Sequence, residues 1–264
     1  MIPIDVTTTA TLRPEILETT LRAFTGYLFN DDSFTYRLIL NIDPVGDQIS
    51  PQNVIDVARG CFPGEVVANV AKYPNFSVAL KWVWSQVEAE FFFNLEDDWL
   101  LMRPVSLAAM VETMKNMHRL ALLRLCMFPS KTDTCRQWNR HVPWNGTFFE
   151  IPDEKRGSLG YSGHPSLIRK AFISPTLPYI RNGWCPEKTL KSYLPAMATY
   201  LQWWRFGVWQ EQNAKPSIKD IGRVWRLARR WYKHRGYSFS TWEKLPDGYD
   251  ERSWYDHLKE QGVQ

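Results

Sequence analysis

Three consecutive acids, Glu96-Asp97-Asp98, follow directly on the apolar run Phe91-Phe92-Phe93-Asn94-Leu95. A near-continuous apolar run belongs to a central strand buried on both faces. Carboxylates clustered at the end of such a strand repel one another unless a cation neutralises them. Hard oxygen ligands suit Mg2+ or Mn2+, and either ion can bridge a diphosphate. Ligands of open α/β sheets bind at the carboxyl ends of the strands. The turn is therefore expected to hold a metal-bound nucleoside diphosphate. The plainer alternative is a set of acids that cap a helix start.

The elements that must position this turn can be read from periodicity. Ile2 to Thr7 has the pattern of a short strand and Thr8 to Arg13 that of a polar loop. Pro14 suits the first position of a helix, and Leu17, Leu21, Phe24 and Leu28 fall on one helical face. Tyr36 to Ile42 and Glu65 to Val70 are further strands, the first ended by the turn signal Asp43-Pro44. Asn75 is placed to cap a helix whose face is Phe76, Leu80, Val83, Trp84 and Val87. A helix over Ser106 to His118 and a buried strand over Leu120 to Phe128 follow. Strands that alternate with helices predict an α/β fold on a mainly parallel sheet. Beyond Pro129 the pattern loosens. A strand is expected at Thr147 to Ile151, short helices at Pro165 to Phe172 and Pro186 to Leu194, and a basic helix from Ile218 to His234.

Strand, acidic triplet, then helix resembles the GT-A class of glycosyltransferases, a Rossmann-like fold. Asp5-Val-Thr-Thr-Thr9, Leu12-Arg13-Pro14, Leu17 and Thr20-Leu21 look like that class's first strand and donor loop. Tyr36 to Asp43 resembles its second strand, Asn75 to Trp84 its helix before the metal motif, and Gly160 to Arg169 an acceptor-side segment. The resemblance covers residues 1 to 130 well and 131 to 264 loosely. It implies one glycosyltransferase domain, with a nucleotide-sugar half (1–130) and an acceptor-side half (131–264). It further implies that Asp98 binds Mn2+ or Mg2+ directly, while Glu96 and Asp97 hold the ribose or complete the metal shell. Thr8, Thr9, Arg13 and Asp43 would meet a uridine-like donor, with Asn75 beside them. Many members add a late His ligand; Asp220 stands in a comparable place here and either replaces it or caps the final helix.

An inverting transferase needs a base for the acceptor hydroxyl. In the resembled class this is an acid at a helix start beyond the metal motif. Glu187, in Gly183-Trp184-Cys185-Pro186-Glu187, fits that description, with Asp153, Glu154 and His164 as rivals. Asp98, through its metal, would share the catalysis by stabilising the departing diphosphate.

On the expected C-terminal helix, Arg223, Arg226, Arg229, Arg230 and Lys233 gather on one face, and Ile221, Val224, Trp225, Ala228 and Tyr232 on the other. Trp203, Trp204, Arg205 and Trp209 precede it. Basic residues interleaved with aromatics can grip bases or sugars. Arg223, Arg226, Arg230, Trp204 and His164 are thus the expected acceptor or phosphate contacts. By analogy with phage enzymes that glycosylate hydroxymethylated bases, the acceptor is expected to be such a DNA base in preference to a saccharide or surface glycan. A non-catalytic nucleic-acid or sugar-binding module is the alternative from another class. A nucleotidyltransferase would show a Gly-rich phosphate loop near its start, and residues 1 to 30 hold only Gly26.

The bulk properties agree with one large α/β domain: 264 residues, net charge +4, and 13 Trp within a 14% aromatic content. The four cysteines form no C-x-x-C pair, which points to free thiols in a reducing cytoplasm, the host's if the source is viral. No apolar run reaches the ~20 residues needed to span a bilayer, so no membrane anchor is expected.

Overall fold

In the computed structural model, residues 1–127, 142–191, 195–210, 215–233 and 242–261 are described. Cys135, Phe128 and the expected helix end at His234 lie outside them. An eight-stranded sheet runs in the order β3-β2-β1-β4-β8-β6-β9-β7. Its strands are β1 (Ile2–Leu12), β2 (Phe34–Gly46), β3 (Glu65–Val70), β4 (Phe91–Asn94), β6 (Leu120–Leu125), β7 (Phe149–Glu150), β8 (Ser166–Arg169) and β9 (Arg205–Trp209). Pairs β1/β2, β2/β3, β1/β4 and β6/β9 are parallel; β8 is antiparallel to both β4 and β6, and β7 to β9. The small strand β5 (Trp99–Leu101) pairs outside this sheet.

The apolar run that ends at the acidic turn explains the two-sided packing. Phe91 and Phe93 enter one core layer, with α1 (Pro14–Tyr27), α2 (Pro51–Cys61) and α4 (Leu107–Asn116). Phe92 points the other way, into a layer with α3 (Phe76–Ser85) and Phe172. Alternate side chains of a strand leave opposite faces, so both faces of β4 must be covered. Asn75 caps α3 by accepting the Val78 amide (3.3 Å), and Ser106 caps α4 through the Ala109 amide (3.1 Å).

Several expected boundaries are corrected. β1 continues to Leu12 through the expected loop, because β2 extends to Gly46 alongside it and satisfies its backbone. The Asp43-Pro44 turn signal is thus overridden within β2. Pro165 to Phe172 is not a helix but strand β8, slotted between β4 and β6, followed by the short helix α6 (Lys170–Ile173). The short helix α5 (Arg156–Leu159) comes before it, and α7 (Pro186–Thr189) and α8 (Pro195–Trp203) come after it.

The basic helix expected from Ile218 to His234 is three elements: β10 (Ile218–Asp220), α9 (Gly222–Ala228) and β11 (Trp231–Lys233). β10 pairs antiparallel with β5, and β11 with β12 (Trp242–Lys244). Arg230 breaks the helix with φ +56°, a left-handed conformation that a continuing helix cannot adopt. The faces change as well. Val224 is 67% exposed, whereas the Arg226 side chain is only 11% exposed. The last helix, α10 (Glu251–Glu260), starts with a capping box at Asp250. No helix among the described residues is long and apolar enough to cross a membrane.

Candidate functional site

The acidic turn sits at the carboxyl edge of the parallel strands, and most of the expected residues gather around it. Asp97 is 2% exposed. Its carboxylate accepts Arg13 Nη2 (2.5 Å), Arg13 Nε (3.0 Å) and the Thr11 amide (3.0 Å). Arg13 Nη2 also donates to Asp98 Oδ2 (2.8 Å). The guanidinium is 4% exposed and lies 5.6 Å from the Trp225 ring and 5.1 Å from the Trp242 ring. Burial works against its charge, but Asp97 and Asp98 push its protonation further up. Arg13 and Asp97, expected as donor and metal contacts, therefore bind each other.

Asp98 packs on Gly222, where an added Cβ would fall 2.0 Å from Asp98 Oδ2. Glycine is required there for the α9 segment to close over the turn. Asp220 accepts the Gly222 amide (2.8 Å), which fits the capping alternative. Burial and the charge of Asp98 push its carboxyl above the usual range.

Glu96 and Glu187 converge on Gly163. A Cβ at Gly163 would lie 2.9 Å from Glu96 Oε1 and 3.1 Å from Glu187 Oε1, and the Gly163 amide donates to Glu187 Oε1 at 2.5 Å. Burial and then the charges of Asp98 and Glu187 push the Glu96 carboxyl well above its ordinary value. Gly163 is a site residue that spacing did not mark; the signal was the pair of glycines, Gly160 and Gly163, ahead of β8.

On the other side of the turn, Asp43 is 5% exposed and accepts the Asn75 amide and the Asn41 side chain, each at 3.0 Å. Burial outweighs these bonds and raises its pKa to about 6. Asn75 also donates to Asn182 (2.5 Å). Thr8 is fully buried, and its hydroxyl has no partner; Thr9 is half-buried. His164 stacks edge-on against Trp99 at 5.1 Å, and burial with the charges of Arg124 and Lys191 lowers its pKa to about 3.

The expected acceptor contacts are dispersed. Trp204 is 8% exposed and packs edge-on against Phe172 in the second core layer. Arg223 and Arg226 both pair with Glu251 (3.0 and 2.5 Å), and Arg230 donates to the carbonyl oxygen of Pro246 (2.7 Å).

Glu96, Asp98 and Asp220 offer the carboxylate oxygens that a hard divalent cation takes, and burial, then the charge of Asp98, pushes the Glu96 and Asp220 carboxyls up. Asp97 is closed off by Arg13, however. Among the described residues no three His, Cys, Asp or Glu are gathered to hold an ion.

No family model matches the chain, and no curated protein sequence matches it. Its fold is similar to that of solved glycosyltransferases. Residues 1–349 of S. aureus TarS, in complex with UDP-GlcNAc, align with TM-score 0.56 and 13% identity over 83% of this chain and 58% of that one. The longer S. aureus TarS structure gives TM-score 0.54 at 10% identity, over 84% and 37%. The mannosyltransferase PcManGT from Pyrobaculum calidifontis, in complex with GDP-Man and Mn2+, gives 0.53 at 11%, over 85% and 60%. The chain spans 37% to 60% of the length of these neighbours. At such identities the likeness establishes the fold: a mainly parallel, helix-flanked sheet of the GT-A, Rossmann-like kind.

Proposed function

We propose that this chain is a glycosyltransferase that binds a nucleoside-diphosphate sugar at the acidic turn and transfers the sugar to an acceptor hydroxyl. The observation that carries the reading is the convergence of Asp43, Asn75, Glu96, Asp98 and Glu187 on one carboxyl edge of a GT-A-like sheet. Asp43, when ionised, accepts the imide N–H of a uracil-like base, and the unpartnered Thr8 hydroxyl lies on the neighbouring strand β1, level with Leu40 of β2. The Gly163 amide orients Glu187 through one oxygen and leaves the other to take the acceptor proton. Arg13 holds Asp97 and Asp98 in place and keeps the turn compact.

Asp98 would be the protein ligand of a divalent cation that neutralises charge on the departing diphosphate; Glu96 and Asp220 are not gathered with it around one point and would act on the ion through their charge. The Mn2+ bound in the mannosyltransferase neighbour is in keeping with this. Asp98 would turn from Arg13 to do so.

UDP titrated by calorimetry, with Mn2+ and with chelator, tests the reading in wild type and Asp98→Ala. Metal-strengthened binding that the substitution abolishes is expected. No binding of UDP, GDP or CDP in either condition would refute the donor site. The basic residues expected to meet DNA are engaged in internal pairs, so saccharide acceptors are tested before hydroxymethylated duplex DNA.

A further inference from the structure

A cavity of about 510 Å3 opens between the Asp153–Lys155 turn, α5 and α8. Small-molecule pockets span ~300–1,000 Å3. Asp153, Glu154, Arg156, Ser158, Lys191 and Gln202 line it, so both signs of charge and neutral polar groups share one wall. Arg156 is 7% exposed. Its Nη1 donates to the Gln202 carbonyl oxygen (2.9 Å), and its Nη2 pairs with Asp153. Its Nε has no partner. A buried donor left unpaired is unfavourable, and more so when charged.

Two stretches of chain join the cavity to Glu187. From α5 the chain runs through Gly160 to Gly163, whose amide holds Glu187. On the opposite wall, Lys191 follows Glu187 by four residues, in a turn closed by Leu190 N to Pro186 O (3.0 Å) and Lys191 N to Lys188 O (3.3 Å). Lys191 is also near enough to act on His164.

We infer that this cavity is the outer acceptor subsite and that it takes the further rings of an uncharged saccharide whose reacting hydroxyl lies at Glu187. The inference rests on the glycosyltransferase reading. Sugar hydroxyls both donate and accept, which matches two carboxylates, an amide and a hydroxyl. A phosphodiester chain carries a negative charge at every repeat, and the cavity offers it no net positive field, because Arg156 and Lys191 are offset by Asp153 and Glu154. Asp153 keeps 83% of its side chain in solvent, at the mouth where such a chain would enter.

The test is saturation-transfer NMR with maltotetraose, cellotetraose and lacto-N-tetraose, run on wild type, Ser158→Trp and Glu154→Lys. Ser158→Trp fills the cavity from an exposed position, and Glu154→Lys reverses a charge on its wall with a much smaller gain in bulk. UDP calorimetry and a thermal melt on each variant report the donor site and the fold. At least one saccharide is expected to bind wild type, to weaken about tenfold or more in a variant that melts normally, and to leave UDP affinity unchanged. UDP binding without any saccharide signal would overturn the subsite, as would a signal that neither variant moves. Transfer to a hydroxymethylcytosine duplex that Glu154→Lys improves would assign the cavity to nucleic acid and overturn the saccharide. If UDP fails to bind but the saccharide signal still responds to Ser158→Trp, the donor reading falls and with it the acceptor role, while saccharide binding by the cavity stands.

Discussion

The sheet edge made by β1 to β4 and the C-terminal segment 215–261 meet at Arg13, but they are held together by different forces. The sheet edge rests on a continuous core in which Val6, Leu38, Leu40 and Phe93 are wholly buried. The C-terminal segment has a small cluster of its own, Tyr232, Leu245 and Leu258, with Trp254 and Tyr255 against it. Ile218 enters the main core and β10 pairs with β5; beyond β10, polar contacts attach the segment to the rest. Arg229 pairs with Glu15 and with Asp47 (3.4 Å), Trp231 Nε1 donates to Asp47 (3.2 Å), and Trp225 with Trp242 brackets Arg13. Apolar burial is non-directional and scales with area, whereas an ion pair needs its partner in place. One region is therefore a stable platform, and the other is a cover whose position depends on a few residues far away in sequence.

Breaking the joint should have the largest effect. Arg13→Ala leaves Asp97 buried and unpaired and empties the slot between two indoles. A loss of about 3–5 kcal/mol is expected, read by urea unfolding, together with loss of nucleotide binding. A cost under about 1 kcal/mol, the range of an exposed pair, would mean that the two regions are independent.

Glu187→Gln separates chemistry from binding. Transfer should fall by about 10²–10⁴-fold, with UDP affinity and the melting temperature unchanged. Equal loss of UDP affinity would place Glu187 in the donor pocket instead.

Two pH dependences of opposite sign sharpen the contrast between the two sides of the turn. Asp43, raised to about 6, must be ionised to accept an imide N–H, so UDP affinity should fall as pH drops through about 6. Asp43→Asn should flatten that dependence. For stability, a raised carboxyl penalises the folded state above about 6, and the penalty is relieved as pH falls towards the ordinary 3.8. His164, lowered to about 3, is neutral in the fold. Its contribution is complete above the ordinary 6.5 and is lost as pH falls from there towards 3. Thermal melts of His164→Gln across that window should lose less on acidification than wild type.

Glu15→Ala should have the smallest effect. The pair with Arg229 is partly exposed, and such pairs contribute ~0.2–1 kcal/mol. Hydrogen exchange should quicken in residues 218–233 and remain unchanged in 91–95. Uniform quickening would make the cover part of the same cooperative unit as the sheet.

The parts of the fold legible in the sequence are those with a local cause. The Phe91 run, the helical face from Leu17 to Phe24 and the Asn75 cap carry their periodicity or side chain within a few residues, and the structure has them where expected. Segment 165–172 misled because its apolar pairs Leu167-Ile168 and Ala171-Phe172, set around Arg169 and Lys170, repeat at helical spacing; the open position between β4 and β6 decided for a strand. Segment 218–234 misled because its charges repeat like a helix surface, while β5 and β12 recruit its two ends into ladders.

The sequence by itself determined the alternating α/β order, the burial of the Phe91 strand and the placing of an acidic triplet at its carboxyl end, since these follow from backbone periodicity and side-chain polarity along a continuous stretch. The tertiary structure alone decided which acid is neutralised. Arg13 is 84 residues from Asp97, and Glu187 is 24 from Gly163. A carboxylate's role depends on the charges and amides within a few ångströms of it in space, and sequence distance does not report them.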